Sequence, residues 1–338
     1  MAVENRALDL NPHEALYENI LEVTDLKKWF PVMSHSLFGQ PQYVRAVDEV
    51  SFKLAPGQTL GIVGESGCGK STLGRTIMKL IQPTAGRIVF EGQDITGYSN
   101  EQMRAVRRNM QIMFQDPYAS LDPRMTIANI IAEPLDTMHA VHSSRERLDR
   151  IVELMEVCGI NKLFLNRYPH EFSGGQRQRI GIARALSVMP KMIICDEPVS
   201  ALDVSIQSQI INLMVDLQRR YDLTLIFISH DLGVVEYISD RVMVMYLGKA
   251  VEVADKADLF ANPTHPYTKA LLQSIPEIGA RKFEDETPIL EGDLPSPINP
   301  PSCCAFHTRC PEARPECALE VPALREVRPN HEVSCIRV

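Results

Sequence analysis

The chain has 338 residues, enough for two average domains or for one large α/β domain with an appendage. Its formal net charge of −8 at pH 7 disfavours the class of proteins whose main task is to hold nucleic acid, since phosphate binding calls for a basic surplus. No apolar run approaches the roughly 20 residues that cross a bilayer, and the first residues lack a secretion signal, so we expect a cytosolic chain that meets a membrane only through a partner.

The first part of the chain is predicted to form strands around a glycine-rich loop. A polar amino-terminal arm over residues 1–19 precedes two strands within residues 20–52, with a loop over residues 31–42 between them. A short apolar strand, Thr59–Val63, then runs directly into the glycine-rich loop. We expect a helix to begin near Lys70.

Strands and helices alternate through the second half of the chain, after a middle section, residues 103–168, that is predicted to be rich in helix. The predicted order is helix 175–188, strand 191–195, helix Val204–Tyr221, strand 224–229, helix Leu232–Ile238 and strand Arg241–Tyr246. Because the strands are apolar throughout and alternate with helices, the pattern predicts an α/β fold with a parallel sheet covered on both faces. Beyond Leu272, several prolines indicate a linker into a small cysteine-rich tail.

A phosphate-binding loop (P-loop) is predicted directly after the third strand. Residues 64–71 read GESGCGKS, which fits the pattern G-x-x-x-x-G-K-[ST] in the required context between a strand and a helix. The glycines let backbone N–H groups turn towards phosphate oxygens, and the helix amino terminus adds partial positive charge. Lys70 is expected to reach the β- and γ-phosphates, and the Ser71 hydroxyl to bind Mg²⁺. The nucleotide contacts predicted here are Gly64, Glu65, Ser66, Gly67, Cys68, Gly69, Lys70, Ser71 and Thr72.

Two carboxylates end the apolar strand that reads MIICDE over residues 192–197. A buried strand would deliver Asp196 beside the P-loop, where it can hold Mg²⁺. The adjacent Glu197 can polarise an attacking water for in-line displacement of the γ-phosphate. A plain strand end is the alternative, which the position of both acids downstream of a P-loop disfavours.

Ser173-Gly-Gly-Gln-Arg177 opens an apolar helix ahead of these carboxylates and resembles the signature motif of ATP-binding-cassette (ABC) ATPases. The resemblance implies an α/β P-loop cassette with a parallel-sheet core, an antiparallel β subdomain and a helical signature subdomain. It also implies that two cassettes face each other, so that one signature motif contacts the γ-phosphate bound by the opposite cassette. The residues that the resemblance assigns to this contact are Ser173, Gly174, Gly175 and Gln176.

Three further positions match the same family. Gln115 resembles the glutamine that senses Mg²⁺ and the attacking water and couples to membrane subunits, which makes it a further Mg²⁺ ligand. Residues 200–203, SALD, resemble the loop that crosses the cassette interface, with Asp203 among the nucleotide contacts. His230 resembles the switch histidine that contacts the γ-phosphate. The catalytic set implied by the resemblance is Glu197, His230 and Gln115.

An aromatic residue at the end of the first strand is expected to stack on adenine. Phe30 resembles the aromatic residue that has this role in the family. Because a loop follows it directly, Trp29 or Tyr43 could stack on the base instead.

Three longer segments carry a narrower resemblance. Residues 116–123, 168–175 and 262–269 read DPYASLDP, YPHEFSGG and NPTHPYTK, and they resemble the ATP-binding subunits of bacterial dipeptide and oligopeptide importers. The domains that this resemblance implies are an ABC ATPase domain over 20–260, a helical subdomain over about 103–188, and an importer-specific extension over 261–338 with a cysteine-rich tail over 303–338.

Four cysteines in the tail could hold a metal centre: Cys304, Cys310, Cys317 and Cys335. Cys303 could replace the first of them. A disulfide is disfavoured in a reducing compartment, and a short proline-rich segment commonly needs a staple, so we favour a four-cysteine metal site over free thiols. The residues alone leave zinc and an iron–sulfur cluster open. The importer resemblance favours a [4Fe–4S] cluster with a structural role.

The combined hypothesis is an ATP- and Mg²⁺-dependent ATPase subunit of a peptide importer, bound peripherally at the cytoplasmic face of the bacterial inner membrane. Its expected partners are a second cassette, favoured as a related paralogue over an identical copy, and two transmembrane permease subunits. An extracytoplasmic binding protein would carry the peptide, and nucleic acid is not expected as a partner. The alternatives are an importer of another small substrate such as a nickel complex, a soluble cassette ATPase, or an iron–sulfur sensor that uses ATP only for regulation.

Overall fold

The computed structural model describes residues 17–32, 42–116, 118–274 and 293–338. Most of the predicted amino-terminal arm and of the predicted loop over 31–42 lies outside these residues. The described strands are β1 (Leu21–Val32), β2 (Gln42–Leu54), β3 (Thr59–Val63), β4 (Ala85–Phe90), β5 (Gln93–Asp94), β6 (Met110–Met113), β7 (Met192–Asp196), β8 (Thr224–Ile228), β9 (Arg241–Tyr246), β10 (Lys249–Asp255), β11 (Arg325–Arg328) and β12 (His331–Val333). The described helices are α1 (Lys70–Ile77), α2 (Asn100–Asn109), α3 (Ile127–Thr137), α4 (Ser144–Val157), α5 (Gly174–Leu186), α6 (Val204–Tyr221), α7 (Leu232–Ile238), α8 (Lys256–Ala261) and α9 (Pro266–Gln273).

A mixed eight-stranded sheet lies at the centre, in the order β11-β12-β10-β9-β3-β8-β7-β6. The strands from β9 to β6 run parallel, and β10, β12 and β11 add to them in antiparallel fashion. A second, antiparallel sheet has the order β2-β1-β4-β5, and α3, α4 and α5 all fall between β6 and β7 in the chain. The predicted α/β fold, with its parallel core, antiparallel sheet and helical section, is confirmed.

The apolar side chains of the central strands divide between the two faces of the sheet. In β8, Leu225 and Phe227 join a core cluster formed with α3 to α7, whereas Ile226 and Ile228 join a cluster shared with α1 and the antiparallel sheet. All four side chains are fully buried, and each contributes about 2 kcal/mol relative to exposure. Because β8 carries apolar side chains on both faces, it is stable only where both faces are covered.

Parallel pairing brings the carboxyl ends of four strands together. Ile62 of β3 lies opposite Ile228 of β8, and Cys195 of β7 lies opposite Phe227 of β8 and Met113 of β6. The loops that follow these strands consequently begin at the same end of the sheet. In open α/β sheets, ligand sites form at this end.

The end of the chain is built into the central sheet. In β12, His331 pairs with Ala254 of β10 and Glu332 pairs with Val253, and β11 pairs with β12 in turn. The sequence pattern does not reveal these strands, because segments of four and three residues are too short to show a period.

A buried charged cluster fastens β12 to the rest of the protein. The fully buried His331 places Nε2 at 2.6 Å from Oε1 of the fully buried Glu252, and its Nδ1 hydrogen-bonds Asp258. Glu252 also accepts the backbone N–H groups of Thr264 (2.7 Å) and His265 (3.0 Å). Burial alone would lower the pKa of His331, but its hydrogen bonds to Glu252 and Asp258 raise that pKa above its ordinary value.

We expect His331 to make the stability of the protein depend on pH. Because its pKa is raised on folding, the imidazolium contributes stability that is fully present below the unfolded-state pKa of about 6.5 and is lost as pH rises through the folded-state pKa. Glu252 and Asp258 favour the charged ring, and the nearby Arg328 opposes it. The measurement is the free energy of unfolding in urea at about pH 6 and about pH 9.

The matched variant for this prediction is His331→Gln, which cannot titrate. Wild type should lose more stability than His331→Gln between the two pH values. Equal losses in the two proteins would contradict a role for this histidine.

Candidate nucleotide site

The P-loop lies between β3 and α1 and requires glycine at both ends. Gly64 has a φ of +150°, and a Cβ there would lie 2.2 Å from the carbonyl oxygen of Met245. Gly69 has a φ of +106°, and a Cβ there would lie 1.9 Å from the carbonyl oxygen of Ala46. The backbone of β2 and of β9 therefore confines the loop so closely that a larger residue cannot fit.

The ammonium group of Lys70 lies inside this loop. Its Nζ donates to the carbonyl oxygens of Gly64 (2.7 Å) and Glu65 (3.0 Å), and the residue is 4% exposed. Ser66 and Gly67 are exposed at the loop tip, whereas Cys68 is buried, and burial raises the pKa of its thiol. The loop thus encloses the ammonium group of Lys70 and exposes Ser66 and Gly67 at its tip, while Cys68 packs into the interior.

Ser71 and Asp196 form a pair of oxygen donors beside the loop. The Ser71 hydroxyl donates to Oδ1 of Asp196 at 2.5 Å, and Asp196 is 1% exposed at the carboxyl end of β7. Burial raises the pKa of Asp196 and outweighs the opposing effects of Ser71 and Arg75. A hydroxyl and a carboxylate are the hard oxygen ligands that Mg²⁺ prefers, so the two residues fit the predicted metal.

Three predicted catalytic side chains come together next to this pair. Nε2 of Gln115 donates to Oε2 of Glu197 at 2.8 Å, and Nδ1 of His230 lies 3.4 Å from the same oxygen. Glu197 has a φ of +48°, uncommon for a non-glycine residue, and its N–H donates to the carbonyl of Ile228. Such backbone geometry concentrates at functional sites. One carboxylate, an amide and an imidazole therefore meet beside the P-loop.

The signature motif forms the capped start of α5. The Ser173 hydroxyl accepts the N–H of Gln176 (3.4 Å), and Oε1 of Gln176 accepts the N–H of Ser173 (3.0 Å), a reciprocal capping box. A Cβ on Gly175 would lie 2.4 Å from Cγ2 of Ile206 on α6. Gly175 therefore has a packing role within the chain, in addition to the anion approach that the sequence suggests. Ser173, Gln176 and Asp203 are all solvent-exposed.

The aromatic residues at the end of β1 have different environments. The indole N–H of Trp29 donates to Oδ1 of Asp48 at 3.1 Å, and the guanidinium of Arg45 lies 4.9 Å from its ring centroid. Phe30 is half-buried, with Nζ of Lys28 at 4.8 Å from its ring centroid. Trp29 is therefore engaged within the protein on both its polar and its aromatic surfaces.

The predicted four-cysteine metal site is not assembled in the structure. Among the residues that the structure describes, no three His, Cys, Asp or Glu side chains are grouped so that they could hold a metal ion. Burial raises the pKa of the Cys304 thiol, and it raises that of Cys310 to about 11. Metal ligation requires thiolates that converge on one point. The tail cysteines, all free thiols, are Cys303, Cys304, Cys310, Cys317 and Cys335.

Two arginines that the sequence analysis did not single out also reach the site. Nη2 of Arg75 lies 3.4 Å from Oδ2 of Asp196, and Nη1 of Arg309 lies 3.0 Å from Oε1 of Glu65. Arg75 follows Ser71 by one helical turn on α1, and this spacing was an available signal. No local pattern connects Arg309 with the P-loop, because 244 residues separate it from Glu65.

The comparisons with family models agree with this geometry. Residues 47–200 match the model described as ABC transporter, and residues 251–317 match the model described as the oligopeptide/dipeptide transporter, C-terminal region. None of the helices in the described part of the chain combines the length and the hydropathy required to span a bilayer.

Solved structures match over the cassette. The dimeric ATP-binding cassette MJ0796, in a post-hydrolysis state bound to ADP and Pi, is 26% identical with a TM-score of 0.62, covering 70% of this chain and 98% of that chain. The cbiO1 protein of Clostridium perfringens, part of the ABC transporter complex cbiONQ, is 27% identical with a TM-score of 0.62, covering 73% of this chain and 92% of that chain. The fold and the site together define an ABC ATPase.

Curated relatives extend the match to nearly the whole chain. The oligopeptide transport ATP-binding protein AppF of Bacillus subtilis (strain 168) is 56% identical over 320 residues, covering 94% of this chain and 97% of the relative. The oligopeptide transport ATP-binding protein OppF of Escherichia coli (strain K12) is 53% identical over 322 residues, covering 94% of this chain and 96% of the relative. This chain belongs to the family of oligopeptide transport ATP-binding proteins.

Proposed function

We propose that this chain is the ATP-binding and ATP-hydrolysing subunit of a membrane importer for dipeptides or oligopeptides. The observation that carries the proposal is the convergence of Glu197, Gln115 and His230 beside a P-loop. The match of residues 251–317 to the C-terminal region of oligopeptide and dipeptide transporters supports peptide as the cargo. In this proposal, residues 20–260 form the ATPase domain, about 103–188 its helical subdomain, and 261–338 the importer extension.

Nucleotide binding rests on the P-loop and its two neighbouring oxygens. Lys70 lies where it can exchange its bonds to the loop carbonyls for the β- and γ-phosphates. Ser71, Asp196 and Gln115 are the residues that would hold Mg²⁺, which neutralises phosphate charge when bound. The exposed amides of Ser66 and Gly67 add N–H donors at the tip of the loop.

Glu197 is the residue that polarises the attacking water. Its Oε2 already accepts the amide of Gln115, which fixes the carboxylate in one orientation. His230 is close enough to the same oxygen to orient it further, and it is the residue that would contact the γ-phosphate. In-line attack of the water on the γ-phosphorus then breaks the bond to the β-phosphate and yields ADP and phosphate.

A second cassette completes the site. The exposed positions of Ser173, Gln176 and Asp203 leave them available to a facing cassette, whose own P-loop would hold the nucleotide they contact. We propose a related paralogue as this second cassette. The pair of cassettes would bind two transmembrane permease subunits at the cytoplasmic face of the inner membrane. An extracytoplasmic binding protein would deliver the peptide to the permeases.

The test of this function is reconstitution with the membrane partners. The chain, its partner cassette and the permeases should co-purify, and in liposomes ATP hydrolysis should rise when peptide-loaded binding protein is added. Binding protein without peptide is the matched control. Failure to form any complex with the permeases would contradict the transport function.

The iron–sulfur or zinc centre stays a prediction about the tail, and no step of the mechanism depends on it. Its support is the sequence pattern and the importer resemblance, because within the described residues no three such side chains are arranged to hold a metal ion. Iron, sulfide and zinc analysis of anaerobically purified protein tests it. About four iron atoms per chain would be expected for a cluster and about one zinc for a structural zinc site.

We expect Phe30 to stack on the adenine. Phe30 occupies the position that the family resemblance assigns to this role, whereas the indole N–H of Trp29 is held by a hydrogen bond to Asp48. A cation lies over each ring, Arg45 over Trp29 and Lys28 over Phe30, and it would have to move aside for the base in either case. Phe30→Ala should weaken binding of MgATP about 5- to 100-fold, the range for loss of one base–aromatic stack, while affinity for inorganic triphosphate stays unchanged. Equilibrium titration of the full chain measures both affinities.

The control for this stacking prediction is Trp29→Phe, which keeps an aromatic ring at the neighbouring position. It should bind ATP as wild type does. A loss of ATP affinity in Trp29→Phe with none in Phe30→Ala would assign the base to Trp29 instead.

A further inference from the structure

The P-loop contacts the carboxyl-terminal extension directly. Nη1 of Arg309 donates to both carboxylate oxygens of Glu65, at 3.0 and 3.1 Å. The Arg309 side chain is 8% exposed and that of Glu65 is 25% exposed, so solvent screens this ion pair less than a surface pair. A residue predicted to lie against the phosphates is thus paired with a cation from the far end of the chain.

A second bond joins the same residue to α9. The N–H of Glu65 donates to the hydroxyl oxygen of Tyr267 at 3.0 Å, and Tyr267 is fully buried. Burial lowers the pKa of His265 to about 4, so its neutral ring accepts the N–H of Tyr267 at 3.1 Å and caps the start of α9. The backbone and the side chain of Glu65 are therefore both held by the extension.

An aromatic cluster fixes these two contacts relative to each other. The ring centroids of Tyr267 and Phe306 lie 5.3 Å apart, and each packs against Tyr246 of β9, at 4.7 and 5.2 Å. The Tyr246 hydroxyl also accepts from Nη1 of Arg309 at 3.4 Å. We call Tyr267, Phe306 and Arg309 the tail clamp. The rings of Tyr246, Tyr267 and Phe306 are all buried, so the tail clamp cannot shift without opening a packed core.

The charge of Glu65 is unfavourable for a site that binds a polyphosphate. An unpaired carboxylate in the P-loop would repel the nucleotide, and at separations near 10 Å in a partly buried site such repulsion is worth about tenfold in affinity. The Arg309 guanidinium cancels that charge. Within the P-loop, the ammonium of Lys70 bonds the carbonyl of Glu65, and the direct bonds to the carboxylate come from Arg309.

We propose that Arg309 and Tyr267 are positioning residues of the nucleotide site, which act through Glu65 by neutralising its carboxylate and holding its backbone N–H. The inference rests on the proposed function, since it assumes that the P-loop binds MgATP. It assigns to the extension a part in nucleotide affinity, beyond any role in contacts with membrane subunits.

The test is equilibrium binding of the slowly hydrolysed analogue ATPγS, with Mg²⁺, to the full chain. Arg309→Gln should weaken binding about tenfold at low salt and by less at high salt, because the lost interaction is electrostatic. The double variant Glu65→Gln/Arg309→Gln should recover to within about twofold of wild type, since the repelling charge is gone. Tyr267→Phe should weaken binding by a few-fold, because it leaves the Glu65 N–H without its acceptor.

The matched control is Arg337→Gln, another tail arginine in an ion pair, with Glu312, that does not involve the P-loop. It should bind the analogue as wild type does. Melting temperatures of all variants establish that each is folded, and Arg309→Lys, which keeps the charge, should retain most of the affinity. In the reconstituted transporter, Arg309→Gln should raise KM for ATP and change kcat by less than about twofold, since Arg309 does not contact Glu197.

The outcomes distinguish two roles for Arg309: supporting nucleotide binding through Glu65, or only holding the extension against the cassette. If Arg309 only docks the extension, the double variant should bind as weakly as Arg309→Gln, and that result would overturn the proposal. Equal affinities of wild type and Arg309→Gln would also overturn it. A wild-type chain that fails to bind Mg²⁺ and ATPγS would overturn the proposed function, and this inference with it.

Discussion

Replacing Glu197 by glutamine should reduce ATP hydrolysis by the assembled transporter roughly 100- to 10,000-fold, the range for loss of a general base. The Glu197 carboxylate can accept a proton from water, and the amide of glutamine cannot. Gln115 can still hydrogen-bond the new side chain, so the geometry should survive. The measurement is the rate of phosphate release in liposomes with peptide-loaded binding protein.

Nucleotide affinity should stay unchanged in Glu197→Gln, because Lys70, Ser71 and Asp196 are untouched. Glu156→Gln, a change of the same type on the exposed face of α4, serves as the control and should hydrolyse ATP normally. Undiminished hydrolysis in Glu197→Gln would mean that the composite site built on the partner cassette does the chemistry. This chain would then bind nucleotide without catalysing its hydrolysis.

Replacing Glu252 by alanine should destabilise the protein by about 3–5 kcal/mol, the loss typical when one partner of a buried ion pair is removed. Its carboxylate accepts from His331 and from the backbone N–H groups of Thr264 and His265, and the residue is fully buried. The free energy of unfolding in urea measures the effect. Glu252→Gln, which keeps one acceptor oxygen, should lie between wild type and the alanine variant.

Glu332→Ala on the neighbouring strand is the control for this effect. Glu332 is partly exposed and lies beside Val253 in the register, so its loss should change stability by less than about 0.5 kcal/mol. A Glu252→Ala protein within about 1 kcal/mol of wild type would contradict the account of the buried cluster.

The fold class and the elements that carry the chemistry could be predicted from short contiguous patterns. The P-loop is a strand, a glycine-rich turn and a helix in immediate succession, and Glu197 follows an apolar strand by one residue. Because parallel strands end at the same end of a sheet, patterns far apart in the chain predict one site. The contacts of Gln115 and His230 with Glu197 are consistent with that expectation.

The contacts of the extension could not be predicted in the same way. Arg309 meets Glu65 across 244 residues, and His331 meets Glu252 across 79, with no periodicity to indicate either pair. The cysteine spacing raised a different problem, because it gives the number of possible ligands and says nothing of whether their sulfur atoms converge. The prediction of four ligands therefore depended on geometry that spacing does not encode.

The pairing of β12 with β10 has a consequence for shortened forms of this protein. A chain that ends before residue 303 would lack β11 and β12, so the outer side of β10 would present unpaired N–H and C=O groups. The carboxylate of Glu252 would also lose its His331 partner. An open strand of this kind is a template for pairing with another molecule. Truncation should therefore lead to self-association, which means that the last strands of the chain protect the edge of the sheet from pairing with other molecules.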